Sequence, residues 1–120
     1  MAGPGHSGYN RMMDGLEAVA EALEQARRLL VDHGDRSTAP RLSALEERLR
    51  RGDESALASV VSEATGGMGS LNDRWLCREN GDEVEQHETS AVNKRLTKLV
   101  RDIEVKARSA AAKHNVSLVR

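Results

Sequence analysis

An all-α fold, a compact bundle of three shorter helices and one long C-terminal helix, is what three features of the 120-residue chain predict. Apolar residues recur at spacings of three and four through most of its length. Aromatics are nearly absent: Tyr9 and Trp75 stand without a single Phe, so Leu, Val, Ala, Met and one Ile must fill the interior, side chains that suit helix-on-helix packing better than sheets. Glycines punctuate the periodic stretches where helices would end.

A chain of this length supports one domain with one core. Residues 1–9, with Gly at 3, 5 and 8 and Pro4, read as a flexible N-terminal tail, 10–115 as the helical domain, and 116–120 as a C-terminal tail. The first helix is capped by Asn10 or by Asp14, the latter in capping-box spacing with Glu17. Leu16, Val19, Ala20, Leu23, Ala26 and Leu30 form its apolar face, and Gly34 supplies a left-handed stop. Pro40 fits the first turn of a second helix, whose Leu42, Leu45 and Leu49 face inward until Gly52. Asp53 is a good N-cap for a short third helix with Leu57, Val60, Val61 and Ala64 as its stripe. Short connections make these neighbours antiparallel. The last helix is the clearest: Val92, Leu96, Leu99, Ile103, Ala107 and Ala110 predict a span of about 85–114, ending near His114 and Asn115. Its repeat serves equally a bundle core or a homodimer seam.

Between Gly66 and about Glu85 the helical period disappears. Gly66, Gly67, Met68, Gly69, Asn72 and Asp73 read as a structural loop: Gly66 and Gly67 cap the third helix, Gly69 turns the chain, Met68 and Leu71 plug the bundle, and Asn72 or Asp73 bonds to nearby backbone N–H groups. Asn80-Gly81, with Trp75, Cys77 and Val84 at alternating positions, admits a short β-hairpin, although the intervening charges leave little apolar surface for strands to bury. Trp75 either folds inward over the end of the bundle or stands out as an interface anchor.

Gly-Gly-Met-Gly-Ser-Leu-Asn-Asp, after a short helix and before a long terminal one, resembles a family of small bacterial proteins of unknown function that carry a Gly-Gly-Met-Gly-Ser-aromatic-Asn-Asp block. The resemblance runs over about residues 14–110 and rests on those eight positions. Leu71 stands where that family has an aromatic residue, and the basic final helix has no counterpart in the resemblance. It implies an immunity-type or antitoxin-like protein that binds a bacterial toxin, and it carries over no catalytic residue.

No enzymatic constellation emerges from the residues themselves. A phosphate cradle would precede a helix and carry Lys at P-loop spacing, whereas this Gly-rich block follows a helix and is flanked by Asn72 and Asp73. His6, His33, His87, His114 and Cys77 lack metal-ligand spacing, and Cys77 has no His at a motif distance, so no metal, cofactor or nucleophile is implied. A single cysteine excludes an internal disulfide. No apolar run approaches the roughly 18 residues of a bilayer span, and no basic-then-hydrophobic leader opens the chain. The expectation is a cytoplasmic protein without membrane contact.

Charge is unevenly spread. Residues 1–93 hold ten Arg, no Lys and seventeen acids, whereas 94–120 hold eight Lys or Arg and two acids, so a net −1 conceals −7 and +6. The bland account is a basic helix packed on acidic ones. Lys94, Arg95, Lys98, Arg101, Lys106, Arg108 and Lys113 could instead contact nucleic acid, but they read as spread around the helix and lack stacking aromatics. Protein binding is the leading expectation: Trp75, flanked by Arg74 and Arg78, with Glu79, Asp82, Glu83 and Glu85 on an acidic edge facing water, would occlude a toxin. A nucleic-acid-associated helical protein and a small helical enzyme with an unrecognised site are the alternatives.

Overall fold

The computed structural model describes residues 15–118. Among them are four α-helices and no strand: α1 Leu16–Asp32, α2 Thr38–Arg50, α3 Ala56–Thr65 and α4 Thr89–His114. The tail over 1–9, the Asn10 and Asp14 caps and His6 lie outside the described residues. Helix α1 packs on α2 and α4, and α4 also covers α3. The apolar stripes read from the sequence meet in one core, in which Leu16, Leu23, Leu30, Leu42, Leu49, Leu57 and Ile103 are sealed from solvent.

The helix ends follow from local chemistry. Gly34 and Gly52 both take a left-handed φ of 84°. That geometry lets the N–H groups just beyond each helix reach back to its last carbonyls: Gly34 N donates to Val31 O and Asp35 N to Leu30 O, while Gly52 N donates to Leu49 O and Asp53 N to Arg48 O. Asn115, left-handed at φ 55°, ends α4 in the same way. The start of α2 is held from three residues upstream: Asp35 Oδ1 accepts from the N–H of Ser37, Thr38 and Ala39 at 3.1, 2.8 and 2.8 Å, so one carboxylate satisfies three of the helix's orphan donors. Beyond α4, Val116 and Leu118 pack half-buried against the core.

Arginines lace the shorter helices together. Glu46, itself buried, receives a forked contact from Arg27 at 2.6 and 3.1 Å. Arg50 reaches Glu17 and Glu24 on α1 at 3.0 and 2.9 Å, and Arg41 of α2 forks onto Glu63 of α3 at 2.9 and 3.2 Å. Planar guanidinium groups suit such two-pronged contacts. The carboxylates of α1 to α3 that form ion pairs are thus met mainly by arginines of the same region. On α4, Lys106 and Arg108 pair with its own Asp102 and Glu104, one turn away. Among the described residues Lys94, Arg95, Lys98 and Arg101 have no ion pair. The expected pairing of a basic helix with acidic ones therefore does not occur at these positions, because these four side chains are on the solvent-exposed surface of α4.

Candidate binding surface

The non-periodic middle is a folded loop with three short 3-10 turns, Leu71–Asp73, Arg78–Asn80 and Gln86–Glu88. Its first half closes on itself. Ser70 donates through both N and Oγ to Gly67 O, at 3.0 and 2.7 Å. Asn72 Nδ2 donates to Gly66 O at 3.2 Å, Gly69 N to Asp73 Oδ2 at 3.3 Å, and Leu71 N to Glu63 Oε1 at 2.9 Å. Two N–H groups that a phosphate cradle would offer outward are thus already bonded to carboxylates. Gly66 is extended rather than left-handed, at φ −74° and ψ 178°. Glycine is required there for a different reason from the expected cap: a Cβ would lie 2.4 Å from Ser62 O. Leu71 is buried as expected, but Met68, placed in the core on hydrophobicity alone, is 97% exposed at the loop tip. The turn that Gly69 permits at φ +85° carries the chain outward before Leu71 returns it to the core.

The second half is organised by Arg74. Its Nε donates to Asp35 Oδ2 at 3.0 Å, Nη1 to Asp82 Oδ2 at 3.1 Å and to Trp75 O at 2.9 Å, and Nη2 to Asp82 Oδ1. Arg74 and Asp82, expected at a partner-facing surface, are instead the loop's internal clasp. Asp82 is buried and also accepts from Cys77 N at 3.0 Å. The Asp82 hydrogen bonds raise the Arg74 pKa against the opposing effect of burial, with Asp35 adding to the rise. At Asp35, burial pushes the carboxyl up, but hydrogen bonds from Ala39 N–H and the Arg74 guanidinium outweigh it and hold the group below the usual aspartate range.

Asn93, 2% exposed on α4, clamps Leu76. Its Oδ1 accepts from Leu76 N at 2.8 Å, and its Nδ2 donates to Leu76 O at 2.7 Å and to Thr89 O at 2.8 Å. Asn80 Nδ2 adds a bond to Trp75 O at 3.1 Å. The hairpin that Asn80-Gly81 would admit is absent: Gly81 is left-handed at φ 87°, as Asn-Gly favours, but it closes the 3-10 turn Arg78–Asn80. With so few apolar side chains alternating here, pairing two strands would bury little.

Trp75 stands between these clamps, 54% exposed, while the adjacent Leu76 is sealed in the core. Open grooves flank the ring. One of about 450 Å³ lies between it and the outer face of α4, with Lys94, Thr97, Lys98 and Arg101 on the far wall. A second, about 320 Å³, runs past Arg41, Gly69, Asp73 and Asn80. Arg78 and Glu79 are exposed beside a separate groove shared with Gln86 and Thr89. Glu85 is exposed, as is Glu83, whose backbone is tied to His33 through Glu83 N to His33 O at 2.8 Å and a 2.6 Å contact from His33 Nδ1 to Glu83 O.

The basic residues of α4 are less scattered than they read. At about 100° per residue, Lys94, Lys98, Arg101 and Arg108 fall within about 80° of one another, opposite the buried stripe, with Arg95, Lys106 and Lys113 to one side. Two positioning residues went unread. Asp35 stands at the spacing of a turn before the start of α2, and Asn93 is a polar residue at a position one step off the apolar seam of α4, so each had a local signal.

Among the described residues no three His, Cys, Asp or Glu side chains gather as a metal site, and no helix is long and apolar enough to cross a membrane. Fold and surface define a small helical scaffold that displays one tryptophan from a tightly bonded, Gly-rich loop. Residues 5–85 match the family described as Domain of unknown function (DUF6966), and the chain belongs to it. The match takes in α1 to α3 and the Trp75 loop and stops before α4. No curated protein and no solved structure matches the chain.

Proposed function

We propose that this chain is a non-enzymatic protein-binding module of the immunity or antitoxin kind, which occludes a site on a toxin by seating the Trp75 loop against it. The observation that carries the reading is the combination at Trp75: a large ring over half exposed, on a backbone whose carbonyl is held by Arg74 and Asn80 and whose following residue is clamped by Asn93. Aromatic anchors dominate binding energy at interfaces, and a loop ordered before the encounter loses little conformational entropy on docking. Met68 adds an adaptable apolar side chain, and Glu79, Glu83 and Glu85 supply a carboxylate edge for a basic partner. Arg74 and Asp82 serve the module from inside, by holding that edge in place.

The experiment is co-expression with the product of the adjacent reading frame, followed by an affinity measurement on the purified pair. Trp75→Ala is expected to weaken binding by about thirtyfold or more, as loss of an interface anchor does, while its urea midpoint stays near that of the wild type. A partner bound and neutralised equally by the Trp75→Ala protein would overturn the proposal.

A further inference from the structure

We infer that the groove between Trp75 and α4 receives an acidic, partly apolar segment of a protein partner. This rests on the protein-binding reading and names the chemistry of one half of that surface. Lys94, Lys98 and Arg101 line one wall, and Trp75 forms the other. The three cations have no ion pair among the described residues, whereas Lys106 and Arg108 farther along the same helix do. Three positive charges without an ion pair among the described residues thus stand beside a half-exposed ring.

The spacing suits an extended peptide. Lys94 and Lys98 are separated by about 6 Å along the helix axis at the standard rise, close to the roughly 7 Å between carboxylates at alternate positions on one face of an extended chain, whose intervening side chain points the other way. An apolar side chain between them would rest on Trp75. Across Lys98 and Arg101 lies a separate groove lined by Val105, itself 62% exposed, where a second apolar side chain of a longer segment would lie. A nucleic-acid strand fits less well. Its phosphates need an unbroken positive track and its bases several stacking rings. Here Asp102 interrupts the track on one side, Asp73 stands across Trp75 on the other, and the sequence holds one further aromatic residue, Tyr9.

Trp75, the single tryptophan, reports directly on the groove. The full chain is titrated with three probes: a short synthetic peptide of Glu interspersed with Leu, its Gln-for-Glu isostere, and an oligothymidylate of similar length. The expected result is a shift in tryptophan emission with the acidic peptide, at an affinity at least about tenfold above the isostere and lowered about tenfold by Lys94→Glu/Lys98→Glu, on the scale of a few lost exposed ion pairs. Lys94→Gln/Lys98→Gln, with the helix content checked by circular dichroism, guards against a reversal that perturbs α4. No binding of the acidic peptide, equal binding of the isostere, indifference to both double variants, or tighter binding of the oligothymidylate would each overturn the inference. The two proposals fail separately. A toxin partner that needs Trp75 but ignores the lysine variants leaves the binding-module reading intact and removes this one; a partner indifferent to Trp75→Ala removes the former.

Discussion

Replacing Arg74 with Met is expected to lower folding stability by about 3 kcal/mol, because removing one partner of a buried ion pair typically costs 3–5 kcal/mol and part of that is recovered here. The side chains of Asp35 and Asp82 are 0% and 4% exposed, so neither regains full hydration when the guanidinium leaves. Asp35 keeps its three backbone donors and Asp82 keeps Cys77 N–H, and Arg74 is itself 19% exposed in the intact protein; both facts place the cost at the low end of the range. Urea denaturation followed by far-ultraviolet circular dichroism measures it. With a slope of about 1.5 kcal/mol per molar for a domain of this size, the midpoint should fall by about 2 M. The coupling is the sharper readout: Asp82→Asn removes one of the stranded charges, so Arg74→Met/Asp82→Asn should be less destabilised than the sum of the single variants by about 1 kcal/mol or more. Arg74→Lys keeps the charge without the fork and should fall between Met and the wild type. An Arg74→Met protein within about 0.5 kcal/mol of the wild type, additive with Asp82→Asn, would refute the clasp and return Arg74 to the surface.

Three further outcomes follow from the same geometry. Gly66→Ala should destabilise by about 1–3 kcal/mol, since the new methyl meets Ser62 O at 2.4 Å, whereas Gly67→Ala, with nothing within 4 Å, should be neutral or slightly stabilising; thermal melts of the pair decide it, and equal losses would show that the loop is not packed as described. Asp35, held below the usual aspartate range, contributes stability that is complete above that range and is lost as pH falls through its lowered folded-state pKa; the gap in urea midpoint between wild type and Asp35→Asn should therefore close on acidification below the ordinary aspartate value, and a gap constant down to the acid limit would contradict the assignment. Asn93→Ala strands the buried N–H and C=O of Leu76 and should cost about 2–4 kcal/mol; fluorescence anisotropy of Trp75 should drop as its segment loosens, and an unchanged anisotropy would separate the clamp from the presentation of the ring.

How much of this was legible depends on the range of the interaction. The four helices could be read because burial of an apolar face leaves its period in the sequence, and their ends because Gly34, Gly52 and Asn115 act within a turn. The loop's clasp could not. Arg74 and Asp35 are 39 residues apart and Asn93 and Leu76 are 17 apart, and nothing near either member of a pair distinguishes a buried salt bridge from a surface charge. Asp82 looked like one more member of an acidic run for that reason. Met68 misled in the opposite way: hydrophobicity suggested the core, but its side chain stands in solvent at the loop tip, next to the left-handed turn at Gly69. The basic face of α4 was available from angular arithmetic alone, since Lys94, Lys98 and Arg101 step by four and three like the buried residues opposite them.

The exposure of Trp75 has a cause in the backbone. Arg74 and Cys77 are extended, and over the four residues from Arg74 to Cys77 the side chains alternate, with Leu76 sealed in the core and Trp75 turned out. Turning the ring inward would require a one-residue slip. That slip would carry Leu76 to solvent and break the two Asn93 bonds to its peptide groups, together with the Arg74 and Asn80 bonds to Trp75 O. Four hydrogen bonds at about 1 kcal/mol each outweigh the roughly 2 kcal/mol that the rest of the ring would gain by burial. The polar groups of the loop therefore set which of two adjacent apolar side chains enters the core, and they admit the smaller one. An exposed tryptophan held in this way cannot relax into its own protein, so its apolar surface stays available to another molecule.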